Sequence, residues 1–187
     1  MKNITAEDKS MEERLKYVCG LVNDWLKFAE AKNAAMVTAV CAILVVICDH
    51  YPESTERASV RWLCFSGCIL YGLAGLISLA SFIPKLTFKW TESKTEEVAE
   101  KNLFYFGHIA AYSAFQYLDA LYQSESLPPA NRKIEIDLAG QAVMNSQIAS
   151  RKYFQFSCAC WLALAGFLSV GAAFCIHILK LITSASQ

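Results

Sequence analysis

Residues whose side chains could bind a small molecule gather in two short stretches of the chain. The first, NLFYFGH at 102–108, combines three aromatic rings with an amide, a glycine and an imidazole, and the second, at 141–152, ends on Arg151 and Lys152. Aromatic rings can stack on a flat base, and paired cations can hold an anion. Core packing and anchoring at a membrane surface use the same residue types, so both interpretations stay open.

In the first stretch only His108 could act as a general base, and no catalytic arrangement accompanies it. The other histidines, His50 and His177, are distant in sequence, and the chain has no CxxC, GxSxG, HExxH or phosphate-binding glycine loop. A lone histidine beside aromatic rings is more often a hydrogen-bonded structural residue than a base. We therefore expect no enzyme, no metal site and no cofactor, while a binding role for His108 stays open.

Three apolar stretches without a charged residue interrupt the chain, at 33–48, 62–84 and 153–179. About 20 mostly apolar residues in a helix cross the hydrocarbon layer, and the second and third stretches meet that length. The first is shorter, but Lys32 can extend its ammonium group to the membrane surface. A buried helix of a soluble protein is the alternative for this first stretch. We expect three transmembrane helices.

Basic residues near the ends of the spans predict which segments are cytoplasmic. Lys32 precedes the first span, Lys85 follows the second, and Arg151 and Lys152 precede the third. Such residues stay on the cytoplasmic side, and Lys180 is the one contrary charge. The predicted order is a cytoplasmic amphipathic N-terminal helix (1–32), a transmembrane helix (33–49), a periplasmic loop (50–61), a transmembrane helix (62–84), a cytoplasmic sensor insert (85–152), a transmembrane helix (153–179) and a periplasmic tail (180–187).

The predicted fold class is therefore mainly α and integral to the membrane, with three transmembrane helices and a small cytoplasmic helical insert between spans two and three. Within the insert, Ser113 and Gln116 have the spacing of a capping box, in which a hydroxyl and an amide satisfy the first backbone N–H groups of a helix. This predicts a helix over 114–122, with Phe115, Leu118 and Tyr122 on one face.

The segments on either side of that helix have different signals. Residues 103–109 contain Gly107 and no helical cap, so we expect extended or turning chain there. Pro129 suits the first turn of a new helix, which should run from about residue 130 into the third span. One stripe of this helix carries Leu138, Gln141, Asn145, Ile148 and Lys152. Its amides either join packed helices or subunits, or face a ligand.

The balanced charge and the spacing of small residues indicate which partners to expect. The chain has 17 basic and 17 acidic residues, so electrostatics give no reason to expect nucleic-acid binding. Rows of small residues at every fourth position, such as Cys64, Cys68 and Gly72, permit close approach of helices in lipid. The rows serve either packing within one chain or a homo-oligomer, so the expected partners are the lipid bilayer and further copies of the chain.

Three blocks of the sequence resemble the transmembrane effector family of the bacterial Pycsar anti-phage systems. They are WLKFAEAKNAAMVT at 25–38, NLFYFGHIAAYSAFQYLDAL at 102–121 and DLAGQAVMNSQIASRKYFQF at 137–156. Their order is similar to that of the family, with two spans before the insert and one after it. The chain departs from the family pattern at Glu30 and His108.

The resemblance implies an anti-phage defence effector of the bacterial inner membrane, a multi-pass protein with a cytoplasmic N-terminus. A partner pyrimidine nucleotide cyclase would make a cyclic pyrimidine mononucleotide, cCMP or cUMP, that activates the effector. The effector would then impair the membrane and kill the infected cell, which is abortive infection. The alternative is a non-toxic membrane scaffold or accessory subunit that binds a cytoplasmic partner through residues 85–152.

Residue chemistry within the resembling blocks suggests which side chains would bind the ligand. The aromatic rings would stack on the base, the amides would bond to its edge, and the cations would hold its phosphate. Core aromatics and membrane-anchoring cations are the competing interpretation. The candidate ligand-binding residues are Asn102, Phe104, Tyr105, Phe106, Gly107, His108, Gln141, Asn145, Arg151 and Lys152.

Overall fold

The computed structural model describes residues 6–50, 57–83, 102–128 and 132–185. These residues form five helices and no strand, which confirms the mainly α fold class. The helices are α1 (Ala6–Asp49), α2 (Ala58–Ala80), α3 (Phe106–Ile109), α4 (Ala114–Ser124) and α5 (Lys133–Ala185). Three of them, α1, α2 and α5, are long and apolar enough to cross a membrane.

The helix bounds refine the predicted segments. The amphipathic N-terminal helix and the first span form one helix, α1, and the helix of the insert continues through the third span as α5. The predicted second span at 62–84 and α2 share residues 62–80, because α2 begins at Ala58 and ends at Ala80. Pro84, Pro129 and the predicted start of a helix near residue 130 lie outside the described residues.

The chain divides into two compact units, to which α1 and α5 both contribute. We call residues 1–29 and 85–153 the insert unit, and residues 30–84 and 154–187 the span unit. The core of the insert unit is formed by apolar faces of α1, α4 and α5 at helical spacing. Its most buried side chains include Met11, Leu15, Val18, Val22, Tyr117, Leu118, Leu121, Ala139, Ala142 and Val143.

The capping box at the start of α4 is confirmed. The Gln116 N–H donates to Ser113 Oγ at 3.3 Å, and the Ser113 N–H donates to Gln116 Oε1 at 2.9 Å. The predicted apolar face is wrong at one position, since Phe115 is 61% exposed while Leu118 and Tyr122 are buried. Tyr117 takes the predicted core place of Phe115, and its hydroxyl donates to the Leu103 carbonyl at 2.8 Å.

A fully buried carboxylate fixes the start of α5 against α4. Glu135 accepts from Arg132 Nε and Nη2 at 3.0 and 2.7 Å, and its second oxygen accepts from the Tyr122 hydroxyl at 2.7 Å. A buried charge is tolerated only when it is paired and hydrogen-bonded. Both oxygens of Glu135 meet that requirement, and an acidic residue in a first helical turn also complements the helix dipole.

In the span unit, α2 and α5 approach closely at two glycines. A Cβ added to Gly67 would lie 2.5 Å from Val170 Cγ2, and one added to Gly166 would lie 3.2 Å from the Tyr71 ring. Beside this contact, Ser169 Oγ donates to the Leu63 carbonyl at 2.9 Å. Small residues thus bring these two helices of one chain together. The two glycines lie outside the predicted rows, and a Cβ at Gly72 of the first row would meet nothing within 4 Å.

We expect Tyr117→Phe to destabilise the insert unit by about 1 kcal/mol, because the Leu103 carbonyl loses its hydroxyl donor. Burial raises the pKa of Tyr117, so the folded state keeps a proton that the unfolded state loses above about pH 10. The contribution of this hydroxyl should be complete below that pH and fall as the pH rises. Urea unfolding in detergent micelles at several pH values measures the loss in free energy of unfolding and its dependence on pH. Tyr17→Phe is the control, since Tyr17 is 65% exposed; equal stability of the two variants at neutral pH would contradict the assignment.

We expect Gly67→Leu to separate α2 from α5 and to lower the thermal unfolding midpoint of the purified protein, because the added side chain overlaps Val170. Gly72→Leu is the matched control in the same helix, since a Cβ at Gly72 meets nothing within 4 Å. Thermal unfolding in micelles compares the two variants. If both midpoints fall equally, the close contact at Gly67 does not determine packing of the span unit.

Candidate functional site

The stretch 102–108 folds into a hydrogen-bonded turn that closes on its own side chains. The Phe104 N–H donates to Asn102 Oδ1, and the Asn102 N–H donates to His108 Nδ1, both at 2.9 Å. The N–H groups of His108 and Ile109 both donate to the Tyr105 carbonyl at 3.0 Å. The prediction of extended or turning chain over 103–109 is therefore wrong for its second half, where α3 makes one helical turn.

Gly107 serves a different purpose from the predicted one. No described glycine has a positive φ, so the turn does not need the backbone freedom of glycine. A Cβ on Gly107 would instead lie 2.6 Å from Tyr105 Cε1. Glycine at this position lets the Tyr105 ring lie flat against the backbone.

Two rings of this turn, Tyr105 and Phe106, form an aromatic cluster with Trp25 and Tyr153. Phe106 is buried and lies stacked on Tyr153 of α5, with ring centroids 5.1 Å apart, and 5.4 Å from Trp25 of α1. The Tyr105 ring lies 4.8 Å from Phe106. Phe106 therefore joins the turn to both long helices within the insert unit.

His108 and Tyr105 form the outer part of the same turn. The imidazole meets the Tyr105 ring edge-on, with centroids 5.2 Å apart and an angle of 88° between the ring planes. Tyr105 is 42% exposed and His108 is half-buried. A flat, partly exposed ring beside a polar imidazole can offer both stacking and a hydrogen bond to a planar ligand.

Phe104 lies apart from this cluster and contacts the N-terminal part of α1. The Arg14 guanidinium is 6.0 Å from the centroid of the Phe104 ring, and the same Arg14 forms an ion pair with Glu125 after α4. Phe104 is 39% exposed. The structure thus brings together five candidates, Asn102, Tyr105, Phe106, Gly107 and His108, and directs Phe104 toward Arg14.

The two amides of the predicted stripe on α5 differ in their surroundings. Gln141 is exposed, while Asn145 is half-buried and donates from Nδ2 to Asn23 Oδ1 of α1 at 2.8 Å. For Asn145 the structure therefore shows the polar contact between packed helices that was one of the two interpretations. This bond to Asn23 uses one of the two N–H donors of the Asn145 amide.

Arg151 and Lys152 are both half-buried but lie on different faces of α5. Arg151 follows Gln147 by one turn, and Gln147 Nε2 donates to the Ala110 carbonyl just after α3 at 3.2 Å. Lys152 shares the face of Asn145, about 100° round the helix axis from Arg151. The helix therefore does not position the two cations as one pair.

Sequence reasoning missed two members of the aromatic cluster, Trp25 and Tyr153. Tyr153 is the first residue of the predicted third span, where aromatic residues are common as anchors. Trp25 is 128 positions away in sequence, so no local pattern indicated the contact between the two rings. Their ring centroids are 6.4 Å apart. The available signal was that each continues the apolar face of its helix, one turn beyond Leu21 and Ala149 respectively.

Comparison with known proteins tests the resemblance directly. The family model for the Pycsar effector protein domain, PycTM, matches residues 14–177. A curated relative, the Pycsar effector protein RsPycTM of a Rhizobium species, is 31% identical over 150 residues, which cover 77% of this chain and 83% of the relative. No solved structure matches the chain.

The match includes most of both units, from the first turns of α1 to the last part of α5. It also includes all ten candidate ligand-binding residues and the three helices that are long and apolar enough to cross a membrane. The chain therefore belongs to the Pycsar effector protein family, whose PycTM members are transmembrane effectors.

Proposed function

We propose that this protein is an anti-phage effector of the bacterial inner membrane, with its N-terminus in the cytoplasm. A cyclic pyrimidine mononucleotide, cCMP or cUMP from a partner cyclase, activates it, and it then impairs the membrane and causes abortive infection. The observation that carries the proposal is the family match over residues 14–177. The matched residues include three candidate membrane spans and the partly exposed aromatic turn.

The aromatic turn supports the proposed binding of a nucleotide. Stacking of one base on an aromatic ring contributes about 1–3 kcal/mol, and it requires an accessible ring face. Tyr105 is 42% exposed, whereas Phe106 is 7% exposed. We therefore assign stacking on the base to Tyr105 and assign Phe106 to the contact between the turn and the long helices.

The two long helices support a route from ligand to membrane. Phe106 packs on Trp25 of α1 and on Tyr153 of α5, and each of these helices also supplies a candidate span. A nucleotide that moves Tyr105 would change the packing of Phe106 and hence of both helices. A ligand shifts such an equilibrium only by the difference between its affinities for the two states.

We expect cells that make this protein to lose membrane potential when cCMP or cUMP is supplied, and to keep it with cAMP. A potential-sensitive dye measures the response in intact cells, with cells lacking the protein as the control. Failure of every cyclic nucleotide to depolarise the membrane would contradict the proposal. That result would favour the scaffold that binds a cytoplasmic partner through residues 85–152.

We expect Arg151→Gln together with Lys152→Gln to weaken binding of the cyclic nucleotide at least tenfold, because charge-assisted bonds to phosphate are lost. Since the two cations lie about 100° apart round the axis of α5, the single variants should differ in their effect on binding. Isothermal titration of cCMP and cUMP into the purified full-length protein measures binding. Unchanged binding and cell killing in the double variant would remove the phosphate role.

We expect Phe106→Ala to reduce depolarisation at saturating ligand more than it reduces ligand binding, because it removes the contact between the turn and both long helices. Phe115→Ala is the matched control, as Phe115 is 61% exposed on α4. Titration and the dye assay separate binding from response. If the Phe106 variant binds and depolarises like wild type, Phe106 does not transmit the signal.

A further inference from the structure

We propose that His108 is held as a neutral imidazole with its proton on Nε2, and that this N–H donates a hydrogen bond to an acceptor oxygen of the bound cyclic nucleotide. The inference rests on the proposed function and names the polar contact that accompanies stacking on Tyr105.

The tautomer follows from one hydrogen bond. His108 Nδ1 lies 2.9 Å from the backbone nitrogen of Asn102. A backbone N–H can only donate, so Nδ1 must present its lone pair and cannot carry a proton. A neutral imidazole then has its single proton on Nε2. The fold thus selects the tautomer that donates from Nε2, the ring nitrogen that is not bonded to Asn102.

The Nε2–H has no acceptor in the described part of the chain. The contacts of the His108 side chain there are the bond from Asn102 and the edge-on contact with Tyr105. The imidazole is half-buried, and the Tyr105 ring beside it is 42% exposed. A donor in a fixed orientation therefore stands beside Tyr105, the most exposed ring of the aromatic cluster.

This donor selects ligands by the type of atom that they present. Both a phosphate oxygen and the carbonyl oxygen of a pyrimidine base can accept from Nε2–H, whereas an amino group at the same place would leave the donor unpaired. A ligand that excludes water from this donor without supplying an acceptor binds more weakly, because the N–H is then left unpaired. The shared chemistry is an acceptor oxygen within reach of His108.

Three residues of the turn position this donor. Asn102 supplies the N–H that fixes the tautomer, and its side chain holds the Phe104 N–H, which closes the turn. Gly107 leaves space for the Tyr105 ring, which in turn contacts the imidazole edge-on. Asn102, Gly107 and Tyr105 thus determine where Nε2 lies relative to a stacked base.

Two substitutions of His108 test its two ring nitrogens separately: the donor Nε2–H, and the acceptor Nδ1 that closes the turn. His108→Asn keeps an acceptor at the position of Nδ1 but removes the outer donor. His108→Gln places an amide N–H near the position of Nε2 and removes the inner acceptor. We expect His108→Asn to fold normally and to bind cCMP and cUMP on the order of 10- to 100-fold more weakly. His108→Gln should retain more affinity than His108→Asn, and His50→Asn should bind like wild type.

The experiment is titration of cCMP, cUMP and the uncharged nucleosides cytidine and uridine into the full-length protein in detergent. If the acceptor is phosphate, His108→Asn removes most of the advantage of cCMP over cytidine. If the acceptor is the base carbonyl, the same substitution weakens both compounds equally. Wild-type affinity in His108→Asn, with wild type binding cCMP or cUMP, would overturn the inference and leave the proposed function standing. No binding by wild type would overturn both.

Nitrogen-15 NMR of histidine-labelled protein gives a test that does not need the ligand. We expect the His108 signals at neutral pH to show a protonated Nε2 and an unprotonated Nδ1, and His108→Asn identifies these signals by their disappearance. A charged imidazole or the Nδ1–H tautomer would overturn the inference. Asn102→Ala keeps the backbone N–H, so the tautomer should persist in that variant.

Discussion

The backbone of a helix in hydrocarbon must satisfy its own N–H and C=O groups, and this constraint determines how α1 and α5 are built. An interruption inside a lipid-exposed segment would leave polar groups unbonded, which costs several kcal/mol each. The chain meets the requirement with helices of 44 and 53 residues, each of which supplies residues to both units. The insert unit therefore does not need a separate connection to the membrane. Its core packs on the parts of the same helices that precede the spans.

Short helices cannot satisfy all of their backbone N–H and C=O groups by themselves. In the insert unit, side chains bond to the groups that are left. A single turn such as α3 fixes several dihedral angles for few hydrogen bonds and is unstable alone. His108 accepts the Asn102 N–H across the turn, and the Tyr117 hydroxyl holds the Leu103 carbonyl just before it. At the start of α5, the Glu135 carboxylate accepts hydrogen bonds from Tyr122 and Arg132. Each of these bonds lies where helical bonding ends and backbone or carboxylate groups would otherwise lack partners.

What the sequence predicts well is local or compositional. The spans follow from charge-free length, and the start of α4 follows from Ser113 and Gln116, because both signals act within a few residues. The prediction for the turn at 102–108 was wrong in part because its closure uses an imidazole six residues away and a glycine that accommodates a ring. The pairing of Asn145 with Asn23 joins residues 122 positions apart. Phe115 and Tyr117 exchange places because α4 packs on α1 and α5, and no local pattern determines the angle at which it does so.

A neutral His108 has a consequence for how a nucleotide could act as a switch. Stacking on Tyr105 shifts the equilibrium only if the position or exposure of that ring differs between the two states of the protein. A hydrogen bond from Nε2–H is more selective, because its position depends on the closed turn formed by Asn102 and Tyr105. Tyr105 also lies against Phe106, which contacts both α1 and α5. In the proposed mechanism the polar contact adds to the stacking a difference in affinity that connects the ligand to the two long helices.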